Sequence, residues 1–474
     1  MEIALPSNRL WMLLATASLL GACASVPDDR GMPDVQALVS ARGGPALPAH
    51  GDVPTVAGRT LSASEAVQVA LARNPRLRLG YAQLGFAGAE IYEAGRLSNP
   101  TLSLSVLDPS TVGAANQLTI GLAQNFTNLL MMPARSRIAA GEFESAKALV
   151  GAEVLTLASD VEAAYYTLVG ARQVAEMRGA ILQVARASAD LAQRYYDAGN
   201  IDELALSLQR AEASQAELDL IAARREVAEA RNALATLLGV TAADGEWQVP
   251  DRLPLPPPED DALPELQTLA AANRLDLAAA RKDLELARSG ADMTRGFRYL
   301  GELELGVERE RETDGTRLTG PTLSWAIPLF HQNQGGVLRA EARHETAEAR
   351  LRAMEIEASN QIDLAHHRLA AARAAVEEFR TRMVPLRENA VARMQERVNY
   401  MLSGIFDLIR LKQDEYRAYQ GYLDSVRDYW TARAALGRLV GTQLPSTALI
   451  GGEAVAPPVP APGETPANDH SHHH

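Results

Sequence analysis

The sequence predicts a mainly α protein with a small β part, in which a strand pair followed by a long coiled-coil helical hairpin occurs twice. Three observations carry this reading. Landmarks recur at offsets between about 198 and 205 residues: Leu77 and Leu275 in opening helices, Leu118 and Leu323 in second strands, Gly199 and Gly404 at turns, Gly239 and Gly441 at helix ends. Four short segments alternate apolar with polar or small residues, and each pair leads into a long stretch poor in helix breakers. Aromatic residues make up only 5% of a chain that is 47% hydrophobic, which suits slender helices packed side by side better than a thick core.

Residues 1–22 read as a secretory signal, because Arg9 precedes an apolar run, Leu10 to Leu20, that is too short to span a bilayer. The sequence Leu20-Gly21-Ala22-Cys23 resembles a bacterial lipobox. That resemblance implies cleavage before Cys23 and a lipoprotein with palmitate-type acyl chains there. Ala24, where an aspartate is absent, fits sorting to the outer membrane. The alternative is an ordinary signal peptide with Cys23 a spare thiol. Residues 23–60, rich in Gly, Pro, Ala and Asp, are expected to form a lipid-anchored extended segment.

The first repeat covers residues 61–241. A capping box, Ser62-x-x-Glu65, opens a helix, Asn74-Pro75 restarts it as an N-cap with proline at the first helical position, and Gly95 stops it. In the hairpin 101–125, Leu102, Leu104 and Val106 alternate with Ser103 and Ser105, and Leu118, Ile120 and Leu122 with Thr119, Gly121 and Ala123. A helical hairpin follows over 133–239. Its outgoing arm, from about Pro133 to Ala198, would reach roughly 100 Å. Gly199-Asn200 breaks it. The returning arm has apolar residues seven apart on two faces, Leu204, Ala211, Leu218 and Leu220, Val227, Leu234, so that it can pack on both sides.

After a proline-rich crossover at 242–262, the second repeat covers 263–441, with a hairpin at 301–328 and a helical hairpin at 335–441. Here Leu303, Leu305 and Val307 alternate with Glu302, Glu304, Gly306 and Glu308, and Leu323, Trp325 and Ile327 with Ser324 and Ala326. Pro385 should kink the outgoing helix or leave a carbonyl without its partner. Tyr422, Tyr429 and Leu436 repeat the heptad spacing. Residues 442–474 read as a disordered tail ending in His470, His472, His473 and His474.

A net charge of −13 argues against nucleic acid as a partner and mildly favours cationic solutes. One face of each strand wants hydrocarbon and the other water. A soluble hairpin pair lying on a core would show the same pattern, but the long helices have their own stripes committed to helix packing. Four strands cannot close a water-filled barrel, since the smallest membrane barrels need about eight, so several chains must contribute. Glu302, Glu304 and Glu308 would be costly toward lipid and tolerable toward a wet lumen, and are expected to line the pore.

The opening stretch LSASEAVQVALARNPRLR, the strands flanked by long helices, and the turns RYYDAGNIDEL and ERVNYMLSGIFDLIRLKQ resemble TolC-type outer membrane factors over about Leu61 to Gly441. The resemblance implies a homotrimer whose strands form a twelve-stranded barrel in the bacterial outer membrane, continued by an α-barrel across the periplasm. It implies a periplasmic adaptor and an inner-membrane pump of the RND type as partners. It makes the two turns the periplasmic tips, with Gly199 and Gly404 giving backbone freedom and Ile201, Leu204, Ile405 and Leu408 contacting the adaptor. Ordinary turn residues covered by neighbouring helices are the alternative there. Asp407 matches an acidic gate position, while Arg410 stands where the family type has a second aspartate, which departs from a double acidic ring and leaves a charged pairing between protomers open. Asp407 reads equally as a solvated helix-start residue.

No P-loop, nucleophile elbow or cysteine pair is present, and His344-Glu345-Thr346-Ala347-Glu348 lacks a second histidine, so no enzyme activity and no cofactor are expected. His366 and His367, adjacent on a helix, diverge too far to share a metal readily. His470, His472, His473 and His474 are weak metal candidates, read as natural sequence with an expression remnant as the alternative, and they raise the heavy-metal branch of the family. The leading function is a passive exit duct of a tripartite efflux system for solutes such as heavy-metal cations. The alternative is a periplasmic coiled-coil adaptor or scaffold without a pore.

Overall fold

The structure, a computed structural model, describes residues 29–48, 54–110 and 115–449. In chain order its elements are α1 (Met32–Ser40), α2 (Ala63–Arg73), α3 (Pro75–Ala94), β1 (Thr101–Leu107), β2 (Gln117–Asn125), α4 (Phe126–Asp197) and α5 (Glu203–Leu238), followed by α6 (Leu263–Asn273), α7 (Leu275–Phe297), β3 (Leu303–Arg311), β4 (Arg317–Trp325), α8 (Gln334–Glu378), α9 (Val384–Asn399) and α10 (Ile405–Val440). The fold is mostly helical with one small antiparallel sheet. It divides into two units, one drawn from Met1–Leu38, Arg78–Gly151 and Leu275–Ile356, the other from Val39–Leu77, Ala152–Arg274 and Glu357–His474.

The first unit holds the sheet, in the order β1-β2-β3-β4, so the hairpins of the two repeats join through β2 and β3. Thr127 fixes the strand bases: its hydroxyl donates to the Gly301 carbonyl at 3.0 Å and accepts the Leu303 N–H at 2.8 Å. Beside the sheet, helices approach closely at Gly141, where an added Cβ would lie 2.3 Å from Leu286 Cδ2. The Ser145 hydroxyl donates to Asp283 at 2.7 Å. Lys147 has a buried side chain that reaches Asp34 at 2.6 Å and Glu144 at 2.7 Å. Burial pulls its ammonium pKa down, but the two carboxylates outweigh that and hold it above the ordinary value.

The second unit shows the duplication in matching contacts. The α2 and α6 helices end at Asn74 and Arg274, and each side chain donates to a carbonyl two residues before the glycine that ends a returning helix. Asn74 Nδ2 reaches the Leu237 carbonyl at 2.7 Å, and Arg274 Nη1 reaches that of Leu439 at 3.3 Å. The glycines, Gly239 (φ 66) and Gly441 (φ 74), are left-handed and lie against the backbone of Arg73 and Arg274, so a side chain there would meet both strain and a clash. Both helix starts read from the sequence are present: Ser62 and Glu65 form the capping box, and Asn74 Oδ1 accepts the Arg76 N–H at 2.8 Å. A core cluster of Met177, Ile181, Leu182, Ala185, Ala216, Leu220 and Tyr416 joins α4, α5 and α10. Of the two stripes on α5, Leu220 and Leu234 are buried, whereas Leu204 and Leu218 are 66% and 60% exposed. Tyr422, Tyr429 and Leu436 are buried as their spacing predicts.

Three readings are corrected, and the crossover and the Pro385 region gain detail. The segment 23–60 is not wholly extended: α1 forms within it and buries Val35 and Val39. The outgoing helix α4 begins at Phe126, not Pro133, because the Asn125 side chain caps the Asn128 N–H at 2.9 Å and Pro133 is accommodated inside the helix. The crossover is anchored. Gln248 bridges to Thr60, Arg172 holds the Val249 carbonyl at 2.7 Å, and Trp430 donates to that of Pro254 at 2.7 Å. Pro385 follows a five-residue π-turn, Phe379–Met383, in which the Val384 N–H reaches back to the Phe379 carbonyl, so the helix ladder widens just before the proline. Residues 442–449 are ordered: Leu444 is buried, Pro445–Leu449 form a short 3-10 turn, and Arg433 donates to Ser446 at 2.8 Å and Thr447 at 2.9 Å.

Candidate channel sheet and helical tips

Strand register sorts the side chains by chemistry. Leu102 faces Leu122, which faces Val307, and Leu305 faces Leu323. Residues opposite one another share a face, so Leu102, Leu104, Val106, Leu118, Ile120, Leu122, Leu303, Leu305, Val307, Leu323 and Trp325 form one apolar face. Glu304 lies opposite Asn125 and Ser324, Glu308 opposite Gly121 and Gly320, and Glu310 opposite Thr119 and Leu318, all on the other face. No lysine or arginine of the four strands lies on that face.

The exposure is inverted relative to a sheet covering a soluble core. Leu102 is 70% and Leu323 66% exposed, while Glu304, Glu308 and Glu310 are half-buried. In the central strands β2 and β3 the polar side is the more enclosed one, whereas β1 is exposed on both faces and β4 nearly so. Both edge strands, β1 and β4, present a row of backbone donors and acceptors with no strand beside them. Among the described residues, no helix is long and apolar enough to cross a membrane.

Glu304 and Glu308 are thus brought together as the alternation predicts. Glu302 lies just ahead of β3, where its carbonyl accepts the Ala326 N–H at 2.9 Å. Glu310 extends the acidic face and accepts a hydrogen bond from the Gln117 amide. The sequence carried that signal in the continuing alternation Glu308-Arg309-Glu310-Arg311, past the point at which the strand was read to end.

The two helical turns meet through Tyr195 and Phe406, whose rings stand edge to face with centroids 5.9 Å apart. Gly199 is left-handed (φ 71) in open space, so the backbone alone requires glycine there. Gly404 does not supply the freedom predicted for it: its φ of −77 suits any residue, and Met401 (φ 59) makes the reversal instead. Gly404 is the N-cap of α10, and Asp407 accepts its N–H at 3.3 Å, which gives Asp407 a helix-start role. Asp407 and Arg410 are both exposed. Leu204 is exposed, whereas Ile201, Ile405 and Leu408 are half-buried. Sequence reasoning passed over Leu208, Tyr400 and Leu402, which with Leu204 and Met401 leave an exposed apolar surface at the turns. Cys23 and His470, His472, His473 and His474 lie outside the described residues. The rings of His366 and His367 stand edge to face at 6.1 Å, and among the described residues no three metal-ligating side chains converge.

Residues 66–240, most of the first repeat, match the family model described as outer membrane efflux protein. The chain is 23% identical over 399 residues to the cobalt-zinc-cadmium resistance protein CzcC of Cupriavidus metallidurans, covering 82% of this chain and 92% of that one. Its fold is similar to the outer membrane protein VceC of Vibrio cholerae, with a TM-score of 0.65 at 20% identity over 80% of this chain and 96% of that one. It is similar also to the MtrE outer membrane channel of Neisseria gonorrhoeae in its open state, with a TM-score of 0.62 at 19% identity over 80% of this chain and 89% of that one. The chain thus carries the outer membrane efflux protein signature over most of its first repeat and has the fold of these outer membrane proteins.

Proposed function

We propose that this chain is the outer-membrane subunit of a tripartite efflux system, a passive exit duct for solutes delivered by an inner-membrane pump and a periplasmic adaptor. The observation that carries this is the sorting of the sheet, with leucines exposed on one face and the β3 carboxylates gathered on the other, which is the more enclosed one in β2 and β3. A scaffold without a pore would leave that apolar face and two open edges in water. Pairing β1 of one copy with β4 of the next removes the edges, and three copies supply the twelve strands of a water-filled barrel. Farther along α5, the exposed Ala211 and Leu218, seven residues apart, give neighbouring protomers a helix face to cover.

Within this reading Cys23 carries the lipid anchor, Glu302, Glu304 and Glu308 line the pore, and Asp407 and Arg410 act at the periplasmic gate. Gly199, Ile201, Leu204, Gly404, Ile405 and Leu408 form the adaptor-docking tips, and the pump is of the RND type. No step of chemistry falls to this subunit. Likeness to a cobalt-zinc-cadmium resistance protein and the acidic pore face support heavy-metal cations as the solute. Reconstitution of the full chain in planar bilayers tests the duct: discrete conductance steps are expected, and a folded protein without conductance would refute it. A deletion strain with unchanged sensitivity to cobalt, zinc and cadmium would overturn the metal reading alone.

A further inference from the structure

The charges of β3 and β4 divide between the two faces of the sheet. Arg309 and Arg311 alternate with Glu308 and Glu310, so the guanidiniums emerge on the leucine face and the carboxylates on the other. Register places Arg311 directly opposite Arg317, with Arg309 opposite Ile120 and Thr319. Two cations facing each other across a strand pair, with backbones roughly 5 Å apart, repel unless an anion lies between them. The three side chains are exposed, and among the described residues none forms an ion pair or side-chain hydrogen bond. They sit at the hairpin end of the strands, next to the turn 312–316, while Val307, Leu305 and Leu303 continue the same face toward the helices of that unit. Hydrocarbon and a cationic cluster therefore adjoin within about 7 to 14 Å along one strand.

We infer that Arg309, Arg311 and Arg317 form a binding site for the phosphate groups of the phosphorylated glycolipid in the outer leaflet of the bacterial outer membrane. This rests on the barrel reading given above, which points the hairpin ends outward and the leucine face into lipid. A lipid is the partner whose chemistry fits both parts: acyl chains lie along Leu118, Ile120 and Val307, and a phosphate at their head bridges the facing guanidiniums. Each planar guanidinium fork binds two phosphate oxygens, and a shared anion converts the Arg311–Arg317 repulsion into a clamp.

The test uses the full chain purified in detergent and incubated with bisphosphorylated lipid A or its dephosphorylated form, with bound lipid counted by native mass spectrometry. The wild-type protein is expected to retain the bisphosphorylated lipid about tenfold better, and the R311Q/R317Q double variant to lose that preference. R317Q alone, which leaves two guanidiniums and removes the facing pair, is expected to lose about threefold or more. Equal retention of both lipids by the wild type, or an undiminished preference in both variants, would overturn the site. Conductance of the same wild-type preparation separates the two levels. A conducting protein without lipid discrimination refutes the site alone, whereas a protein that does not conduct removes the barrel reading and the site with it.

Discussion

Neutralising the acidic face of the sheet should abolish cation preference without changing the fold. Glu304, Glu308 and Glu310 share one face of β3 and have no basic residue of the strands beside them. Neighbouring rings lie about 7 to 14 Å apart along the strand, comparable with a Debye length of about 10 Å at 0.1 M salt, so they act together. A carboxylate about 10 Å from the pore axis attracts a monovalent cation by about 0.4 kcal/mol in water, cut to roughly a third by screening. The three residues from three copies together amount to about 1 kcal/mol, which enriches monovalent cations roughly five- to tenfold and divalent ions more. In planar bilayers with a KCl gradient around 0.1 M, the wild-type channel should show a cation-selective reversal potential that collapses toward zero in E304Q/E308Q/E310Q. It should fade likewise at 1 M salt, where the Debye length is about 3 Å. A triple variant that keeps the wild-type reversal potential would refute the placement of these carboxylates in the lumen.

Gly421 lies under the Phe379 ring, with an added Cβ 2.5 Å from Cζ, so G421A should destabilise the π-turn by about 1 to 3 kcal/mol and F379A should relieve it, read by thermal melting of the variants. Asp260 accepts hydrogen bonds from Arg373 and Tyr429, each at 2.7 Å. Burial pushes this carboxyl up, but Arg373 and Tyr429 outweigh burial and hold it below the usual carboxylate range. Its contribution is therefore complete above the unfolded value near 4 and is lost as pH falls through the depressed folded value, and D260N should remove it at pH 7 and open the crossover to limited proteolysis. Replacing the exposed Leu204 by Asp should leave the melting temperature within a few degrees of wild type while abolishing complementation of a deletion strain; full complementation would count against docking at this turn.

Elements announced by local chemistry were legible. Ser62 with Glu65 and Asn74 with Pro75 are read from neighbouring residues, because capping is settled within a turn of helix. Alternation in β1 to β4 fixed which residues share a face, since the pleat has a period of two. The start of α4 was misplaced because Pro133 is a stronger local signal than Asn125, although the Asn125 side chain is what caps the helix. Gly404 misled for a similar reason. Glycine permits a left-handed turn without requiring one, and Met401 takes that conformation instead. The contact of Tyr195 with Phe406 and the anchoring of the crossover on Thr60, Arg172 and Trp430 join distant segments and leave no periodic trace.

By itself the sequence determined the duplication, the helical hairpins and the two chemistries of every strand, because propensity, capping and periodicity act over a few residues. Only the tertiary structure decided that β2 pairs with β3, and in which register. That pairing closes a loop of nearly 200 residues through backbone hydrogen bonds that any side chain can accompany. A shift of two residues would preserve both faces and still move Glu310 away from Gln117, so the position of each charge along the sheet comes from the register and not from the pattern.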